Sequence, residues 1–259
     1  MLKKCFGIIS YMPEEPFIRP GRQFCLNRLL TQLNELWPSI DILIIAQNWR
    51  DDIQPALPEI NNNLNIINCP NKLGILGARQ KLREEYLKLD YDYIIMLDDD
   101  AVISFWSNNI LQEYLDTIDD HPNGFAFVTN PVTKPEIYTY GLAPLNLCAI
   151  STAIYSQAPF ADFSVELYEA EEDQVYATLL HNKFAEAEFS LPAGLSCAHY
   201  KPIQFIRQNT RPTEYPPSTW FPGNHWPTIW NNDQVISKYI VEHKDIDEAA
   251  IRSLPEWRQ

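Results

Sequence analysis

Short apolar runs alternate with stretches of helical periodicity along the first part of the chain, and this alternation restricts the fold more than any other feature of the sequence. Four apolar runs predict buried strands, at residues 5–11, 40–46, 64–68 and 93–97. Helices are predicted over residues 22–36 and 78–89, between these strands. Strands and helices in this order form a mostly parallel sheet with helices on both faces, and its ligands bind beyond the carboxyl ends of the strands.

The second half of the sequence predicts a mixed arrangement. Strands are predicted at residues 124–130, 147–154 and 188–191, and a helix over residues 169–180. Residues 202–232 are rich in proline and contain Trp220, Trp226 and Trp230. We interpret this stretch as a long loop, ordered by itself or by a ligand, because loops of such length are usually functional or disordered. We expect one α/β domain with two halves, residues 1–103 and residues 104–259.

The composition restricts the partners. The chain has 34 acidic and 20 basic side chains and a formal net charge of −14, and such a surface repels nucleic acid and anionic membranes. Five scattered cysteines without a C-x-x-C pair are typical of reduced thiols, not of a disulfide framework or a zinc site. No apolar run approaches the roughly 20 residues of a membrane helix. We expect a cytoplasmic protein with no transmembrane segment, for which nucleic acid is a disfavoured partner.

Asp98, Asp99 and Asp100 directly follow the fourth predicted strand. Three adjacent carboxylates at the end of a buried strand repel one another and lose hydration unless a cation relieves both costs. Asp98 and Asp100 are two residues apart, so they point the same way in an extended chain. Their oxygens suit Mn²⁺ or Mg²⁺ shared with phosphates. The pattern favours a metal site, and a solvated acidic turn is the alternative.

Three motifs, taken in order, resemble those of GT-A glycosyltransferases, most closely the large inverting family that builds bacterial polysaccharides. An aspartate-x-aspartate pair ends the fourth strand of an α/β half. The preceding segment N71-K-L-G-I-L-G-A-R79 is similar to the family's asparagine–glycine–alanine–arginine segment. Glu171, Glu172 and Asp173 resemble the acidic motif that supplies the family's catalytic base. The resemblance spans roughly residues 5–200 in order and spacing.

The resemblance implies a GT-A fold, in which residues 1–103 bind the nucleotide-sugar and residues 104–259 bind the acceptor. It implies Asp98 and Asp100 as metal ligands, with His199 as a third ligand and His225 competing for that role. It implies Asp173 as the catalytic base, with Glu172 as the next choice. The donor contacts that it implies are Tyr11, Asn48, Lys72, Gly77, Arg79, Asp98 and Asp99.

One part of the predicted donor site has a second explanation, and another departs from the family. Gly74 and Gly77 allow close backbone approach, and Arg79 near a helix start offers positive charge to a diphosphate. The alternative is that these residues form only the start of a helix, with Arg79 on its surface. Gln47 and Asn48 stand where the family often has an acidic pair that contacts the nucleotide, which leaves recognition of the base open.

The later motifs also leave alternatives open. Glu172 and Asp173 suit the exposed first turn of a helix, where acidic side chains are favoured by the helix dipole. A single histidine such as His199 is also explained by a structural role. The tryptophans of residues 202–232 suit stacking on sugar rings or closure over the donor, and equally the packing of the C-terminal segment.

We predict transfer of a sugar from a nucleoside-diphosphate sugar, expected to be a UDP-sugar, to a hydroxyl of a glycan or lipid-linked acceptor, with inversion. A divalent cation would neutralise the leaving diphosphate while Asp173 activates the acceptor. The alternatives are a sugar nucleotidyltransferase, a glycosyltransferase acting on nucleic acid and a non-catalytic carbohydrate-binding protein. The first normally has a glycine-rich basic loop after its first strand, whereas residues 10–15 are SYMPEE. The second conflicts with the net charge, and the third does not need three adjacent aspartates.

Overall fold

A computed structural model of the 259-residue chain describes residues 1–14, 19–50, 52, 54–105, 107–128, 145–160, 172–192 and 195–199. The described residues form a six-stranded sheet and a separate two-stranded sheet, with helices between the strands. The predicted fold class, α/β with a mostly parallel sheet in the first half and a mixed second half, is confirmed. The proline- and tryptophan-rich stretch at residues 202–232, which includes His225, lies outside the described residues.

The first half contains the strands and helices that the sequence predicts. They are β1 (Lys4–Tyr11), α1 (Arg19–Leu36), β2 (Asp41–Gln47), β3 (Leu64–Cys69), α2 (Gly74–Tyr86) and β4 (Tyr93–Asp98). Each strand lies within one residue of its predicted limits. The second helix, predicted over residues 78–89, is wrong at both ends. It begins at Gly74 and ends at Tyr86, so that Gly77 lies inside the helix and not in a loop before it.

The second half differs more from the prediction. Its elements are β5 (Ala101–Phe105), α3 (Asn108–Asp119), β6 (Phe125–Ala126), β7 (Cys148–Ser151), α4 (Thr152–Tyr155), α5 (Glu172–Phe184), a 3₁₀ turn (Ala185–Ala187) and β8 (Leu195–His199). The predicted strand at 147–154 is wrong in its second part, which forms α4. Only an isolated bridge, between Glu188 and Phe125, occurs where a strand at 188–191 was predicted. β5, α3 and β8 were not predicted from the sequence.

Strand order in the large sheet is β3-β2-β1-β4-β7-β6. The first four strands in this order are parallel, whereas β7 runs antiparallel to β4 and β6 antiparallel to β7. The carboxyl ends of β1, β2, β3 and β4 therefore meet at one edge of the sheet. β5 leaves that edge directly after β4 and pairs antiparallel with β8.

Both faces of the sheet are covered by apolar side chains, as the continuous apolar strands require. On one face, Phe6 and Ile8 pack against Leu26 and Leu30 of α1. On the other face, side chains of α2, α4 and α5 pack against Ile9, Ile45 and Ile94 among others. Full burial of one such side chain contributes about 1.5–3 kcal/mol, so the two layers hold the sheet edge in place. In the described part of the chain no helix combines the length and the apolar character needed to cross a bilayer.

Candidate functional site

The candidate site lies at the carboxyl edge of the parallel strands. Tyr11 pairs with Gln47 at the ends of β1 and β2, and Asp98 ends β4 opposite Ile9. Lys72 comes from the loop after β3, and its Nζ lies 5.6 Å from the ring centroid of Tyr11. The sheet therefore brings the predicted donor residues of three separate segments to one edge.

Asn48 links the ends of three strands. Its Nδ2 donates to the carbonyl oxygen of Met12 at 2.8 Å, and its backbone N–H donates to the carbonyl oxygen of Cys69 at 2.7 Å. The residue is buried and has a φ of 57°, in the left-handed region that asparagine tolerates better than most residues. Asn48 thus holds the ends of β1, β2 and β3 together.

The start of α2 is fixed to the end of β2. Gln47 accepts a hydrogen bond at Oε1 from the backbone N–H of Leu73 at 2.9 Å. Gly74, the first residue of the helix, has a φ of 73°, which a side-chain-bearing residue rarely adopts. A Cβ on Gly77 would lie 3.2 Å from the Cβ of Leu73. The glycines of the predicted diphosphate segment therefore serve the sharp entry into α2.

Asp98 is held by one cationic and one neutral side chain. Arg79 donates from Nη2 to Oδ1 of Asp98 at 2.6 Å. Oδ1 of Asn146 accepts a hydrogen bond from the backbone N–H of Asp98 at 2.7 Å. Nδ2 of Asn146 donates to Oδ2 of Asp98 at 3.3 Å. Arg79 is 1% exposed, whereas the side chain of Asp98 is 22% exposed. Arg79 is thus a buried residue that faces the turn formed by Asp98, Asp99 and Asp100, called the aspartate turn below. Asp98 keeps access to solvent.

Asp99 and Asp100 contact a second arginine, Arg22 in the first turn of α1. Nη2 of Arg22 lies 2.5 Å from Oδ1 of Asp99, and Nη1 lies 3.4 Å from Oδ2 of Asp100. The other oxygen of Asp99 accepts from the hydroxyl of Ser10 at 2.8 Å and from the backbone N–H of Tyr11 at 3.3 Å. Both aspartates are buried. Asp99 and Asp100 are therefore not solvated but lie at the edge of the core, whereas Asp98 stays partly exposed.

Arg22 and Asn146 were not predicted from the sequence. A signal for Arg22 was present, because Arg22 lies four residues before Leu26 on the apolar side of α1, where a charged side chain requires a partner. Burial lowers the pKa of Arg22, but the negative charges of Asp99 and Asp100 outweigh burial and raise this pKa overall. Arg22 therefore remains charged. Nothing in the local sequence around Asn146 indicates its contact with Asp98.

The remaining predicted site residues are placed by their backbones. His199, the last residue of β8, pairs with Ala101, which directly follows Asp100. Glu172 and Asp173 are the first residues of α5. The directions of these three side chains, and Glu171, lie outside what the structure describes.

The donor set fits a divalent cation that is shared with phosphate. In the described ranges, no group of three or more histidine, cysteine, aspartate or glutamate side chains is arranged to hold a metal ion. Mg²⁺ in nucleotide sites, however, is bound by one or two carboxylates together with phosphate oxygens. Arg22 pairs with Asp99 and Asp100, and Arg79 pairs with Asp98. The turn therefore places three carboxylates, the hard oxygen ligands that Mg²⁺ prefers, next to one another.

Comparisons with known proteins gave likenesses of backbone structure only. No protein-family model and no curated protein sequence matches the chain. A candidate nucleotide-diphospho-sugar transferase from Desulfovibrio desulfuricans G20 is 12% identical, with a TM-score of 0.44, over 92% of this chain and 99% of that chain. A197 from STIV is 13% identical, with a TM-score of 0.40, over 76% and 85% of the two chains. S. aureus TarS 1–349 in complex with UDP-GlcNAc is 12% identical, with a TM-score of 0.40, over 98% and 76%.

Proposed function

We propose that this chain is a metal-dependent GT-A glycosyltransferase that moves a sugar from a nucleoside-diphosphate sugar, a UDP-sugar, to a hydroxyl of a glycan or lipid-linked acceptor. One observation carries the proposal. The buried aspartate turn after β4 lies at the same sheet edge as Tyr11, Asn48 and Lys72, where ligands of parallel α/β sheets bind. Carboxylates for a cation and an amine for phosphate thus stand together at one edge.

In this proposal Asp98 and Asp100 hold Mn²⁺ or Mg²⁺, and His199 completes the protein ligands. When bound, the cation supplies Lewis-acid stabilisation of the departing diphosphate. Lys72, an exposed cation at the same edge, binds a phosphate oxygen. Tyr11 provides an aromatic surface beside it, on which a nucleobase stacks.

Asp173 accepts the proton of the acceptor hydroxyl as that oxygen attacks the anomeric carbon. The bond between the anomeric carbon and the diphosphate oxygen breaks on the opposite face, and the nucleoside diphosphate leaves. The product therefore has the inverted anomeric configuration. The support for Asp173 is the motif resemblance and its place at the start of α5.

Calorimetry with UDP, with and without Mn²⁺, tests the proposal. Wild-type protein should bind UDP more tightly with Mn²⁺, and Asp100→Asn should lose most of that gain because the amide removes a charged ligand. Asp116→Asn is the matched control, since Asp116 is an exposed aspartate on α3. Equal UDP affinity with and without metal in the wild type would show that the metal assignment is wrong.

A donor screen tests the reaction. UDP-sugars should be hydrolysed slowly in the presence of Mn²⁺, and EDTA should stop the hydrolysis.

UDP with Mn²⁺ should also raise the melting temperature, because a ligand at 100 times its Kd stabilises the native state by about 2.7 kcal/mol. If no nucleoside diphosphate changes the melting temperature, a nucleotide-sugar enzyme is excluded.

A further inference from the structure

Arg22 lies between two neighbouring carboxylates and contacts them unequally. Its Nη2 is 2.5 Å from Asp99, a full hydrogen bond, whereas its Nη1 is 3.4 Å from Asp100, at the outer limit of one. The side chain of Asp100 is 0% exposed and that of Arg22 3% exposed. Arg22 is therefore anchored on Asp99 and held only loosely by Asp100, the residue proposed as a metal ligand.

Asp99 is itself fixed by the end of β1. The hydroxyl of Ser10 and the backbone N–H of Tyr11 both donate to Oδ2 of Asp99, opposite the oxygen that Arg22 contacts. Asp99 can therefore keep Arg22 in place when the contact with Asp100 breaks. In addition, Nε of Arg22 is buried and has no hydrogen-bond partner within the described residues. The guanidinium is thus incompletely satisfied where it lies.

We propose that Arg22 is a positioning residue that competes with the divalent cation for the carboxylate of Asp100. In the free protein the guanidinium neutralises Asp100 and weakens cation binding. A cation that arrives with a diphosphate gains additional oxygen ligands and displaces Nη1 from Asp100, while Asp99 retains Nη2. Arg22 thereby makes cation binding depend on the nucleotide. This role rests on the proposed metal site at Asp98 and Asp100.

This role is tested by titrating three proteins, the wild type, Arg22→Met and Arg19→Met, with Mn²⁺ alone. The EPR signal of free Mn²⁺ gives the affinity, so no activity measurement is needed. Arg22→Met removes the competing charge and keeps the apolar stem, so Mn²⁺ should bind about tenfold or more tightly than to the wild type. Arg19→Met is the matched control, because Arg19 lies on the same helix turn but donates to the backbone carbonyls of Pro13 and Glu14. This control should change Mn²⁺ affinity less than about twofold, a long-range effect screened by salt.

A second variant, Asp99→Asn, should change the Mn²⁺ affinity in the opposite direction. Asp99→Asn removes the charge that anchors Arg22, so the guanidinium pairs with Asp100 alone and Mn²⁺ binding should weaken. The gain of Arg22→Met should also vanish in the double variant Arg22→Met/Asp100→Asn, which shows that the new affinity belongs to Asp100. UDP should strengthen Mn²⁺ binding less in Arg22→Met than in the wild type, because the coupling through Arg22 is gone.

The outcomes separate this inference from the proposed function. Unchanged or weaker Mn²⁺ binding in folded Arg22→Met overturns the role of Arg22, even if the wild type binds Mn²⁺ with UDP. If Arg22→Met does not fold, tighter or equal Mn²⁺ binding in Asp99→Asn overturns it. Failure of the wild type to bind UDP overturns the proposed function instead, and the Mn²⁺ titrations still decide whether Arg22 and a cation compete for Asp100.

Discussion

Arg79 in the second turn of α2 donates a 2.6 Å hydrogen bond to Asp98, the last residue of β4. This contact connects the helix that follows β3 with the strand that ends in the aspartate turn. Asn146 holds the same aspartate through its backbone N–H and its other carboxylate oxygen. Protein groups therefore fix Asp98 in position, as a binding site requires of its supporting residues.

Replacing Arg79 by methionine should destabilise the protein. Breaking a fully buried ion pair from one side costs about 3–5 kcal/mol. Asp98 keeps part of its hydration, because its side chain is 22% exposed. We therefore expect the free energy of unfolding to fall by about 2–3 kcal/mol. Urea unfolding gives this quantity.

Lys88→Met is the control for Arg79→Met. Lys88 pairs with Glu85 at the surface and is 64% exposed, so its loss should cost less than about 0.5 kcal/mol. Arg79→Met as stable as Lys88→Met would mean that the contact with Asp98 contributes nothing to folding.

Substitutions of Asn48 should separate its backbone conformation from its side-chain hydrogen bond. Asn48→Ala places a Cβ-bearing residue without a local hydrogen bond at a φ of 57° and removes the donor to Met12. These two costs are about 1–2 and 0.5–1.5 kcal/mol. Asn48→Gly loses only the hydrogen bond and should be more stable than Asn48→Ala by about 1 kcal/mol. Equal stabilities in urea unfolding would contradict the left-handed conformation.

The strands of the first half could be predicted closely because each is a short apolar run that must be buried on both faces. Ile42–Ala46, for example, is buried throughout. Because burial on both faces disfavours polar side chains, this strand is an uninterrupted apolar run in the sequence. The start of α2 was missed because Gly74 and Gly77 are poor helix formers. A distant contact, from the N–H of Leu73 to Gln47, fixes that start, and a local pattern does not contain such contacts.

The sequence predicted that the candidate residues lie at one edge of the sheet, but it did not predict their ion pairs with Arg22 and Arg79. Parallel strands with a common edge require that Tyr11, Asn48 and Asp98 come together. The need of the aspartates for positive charge was also predicted, but it was assigned to a cation alone. Arg22 supplies part of that charge from 78 residues away from Asp100. Neither the spacing nor the periodicity of the sequence connects two residues so far apart.

All five cysteines should be unreactive in the native protein. They are buried, and burial raises the pKa of Cys5 to about 12 and also raises the pKa values of Cys25, Cys69 and Cys148. Only the thiolate reacts with iodoacetamide. Mass spectrometry after labelling at neutral pH should detect no native adduct and five adducts in urea. A cysteine that is labelled rapidly in the native state would not occupy its buried position.

The base assignment has the largest consequence for the mechanism and is tested by two neighbouring substitutions at the start of α5. Asp173→Asn keeps the shape of the side chain but cannot accept the proton of the acceptor hydroxyl. Turnover with donor and acceptor should therefore fall by about 10² or more, the usual effect of removing a general base. UDP and Mn²⁺ binding should remain near the wild-type level, because the base acts only when the acceptor loses its proton.

Glu172→Gln is the matched control for Asp173→Asn, since Glu172 and Asp173 are consecutive in the first turn of α5. If Glu172 only interacts with the helix dipole, its substitution should cost about 0.3–1 kcal/mol of stability and leave turnover nearly unchanged. An inactive Glu172→Gln beside an active Asp173→Asn would move the base by one residue. Two active variants would mean that these acids serve only the helix start, and the inverting mechanism would then lose its base.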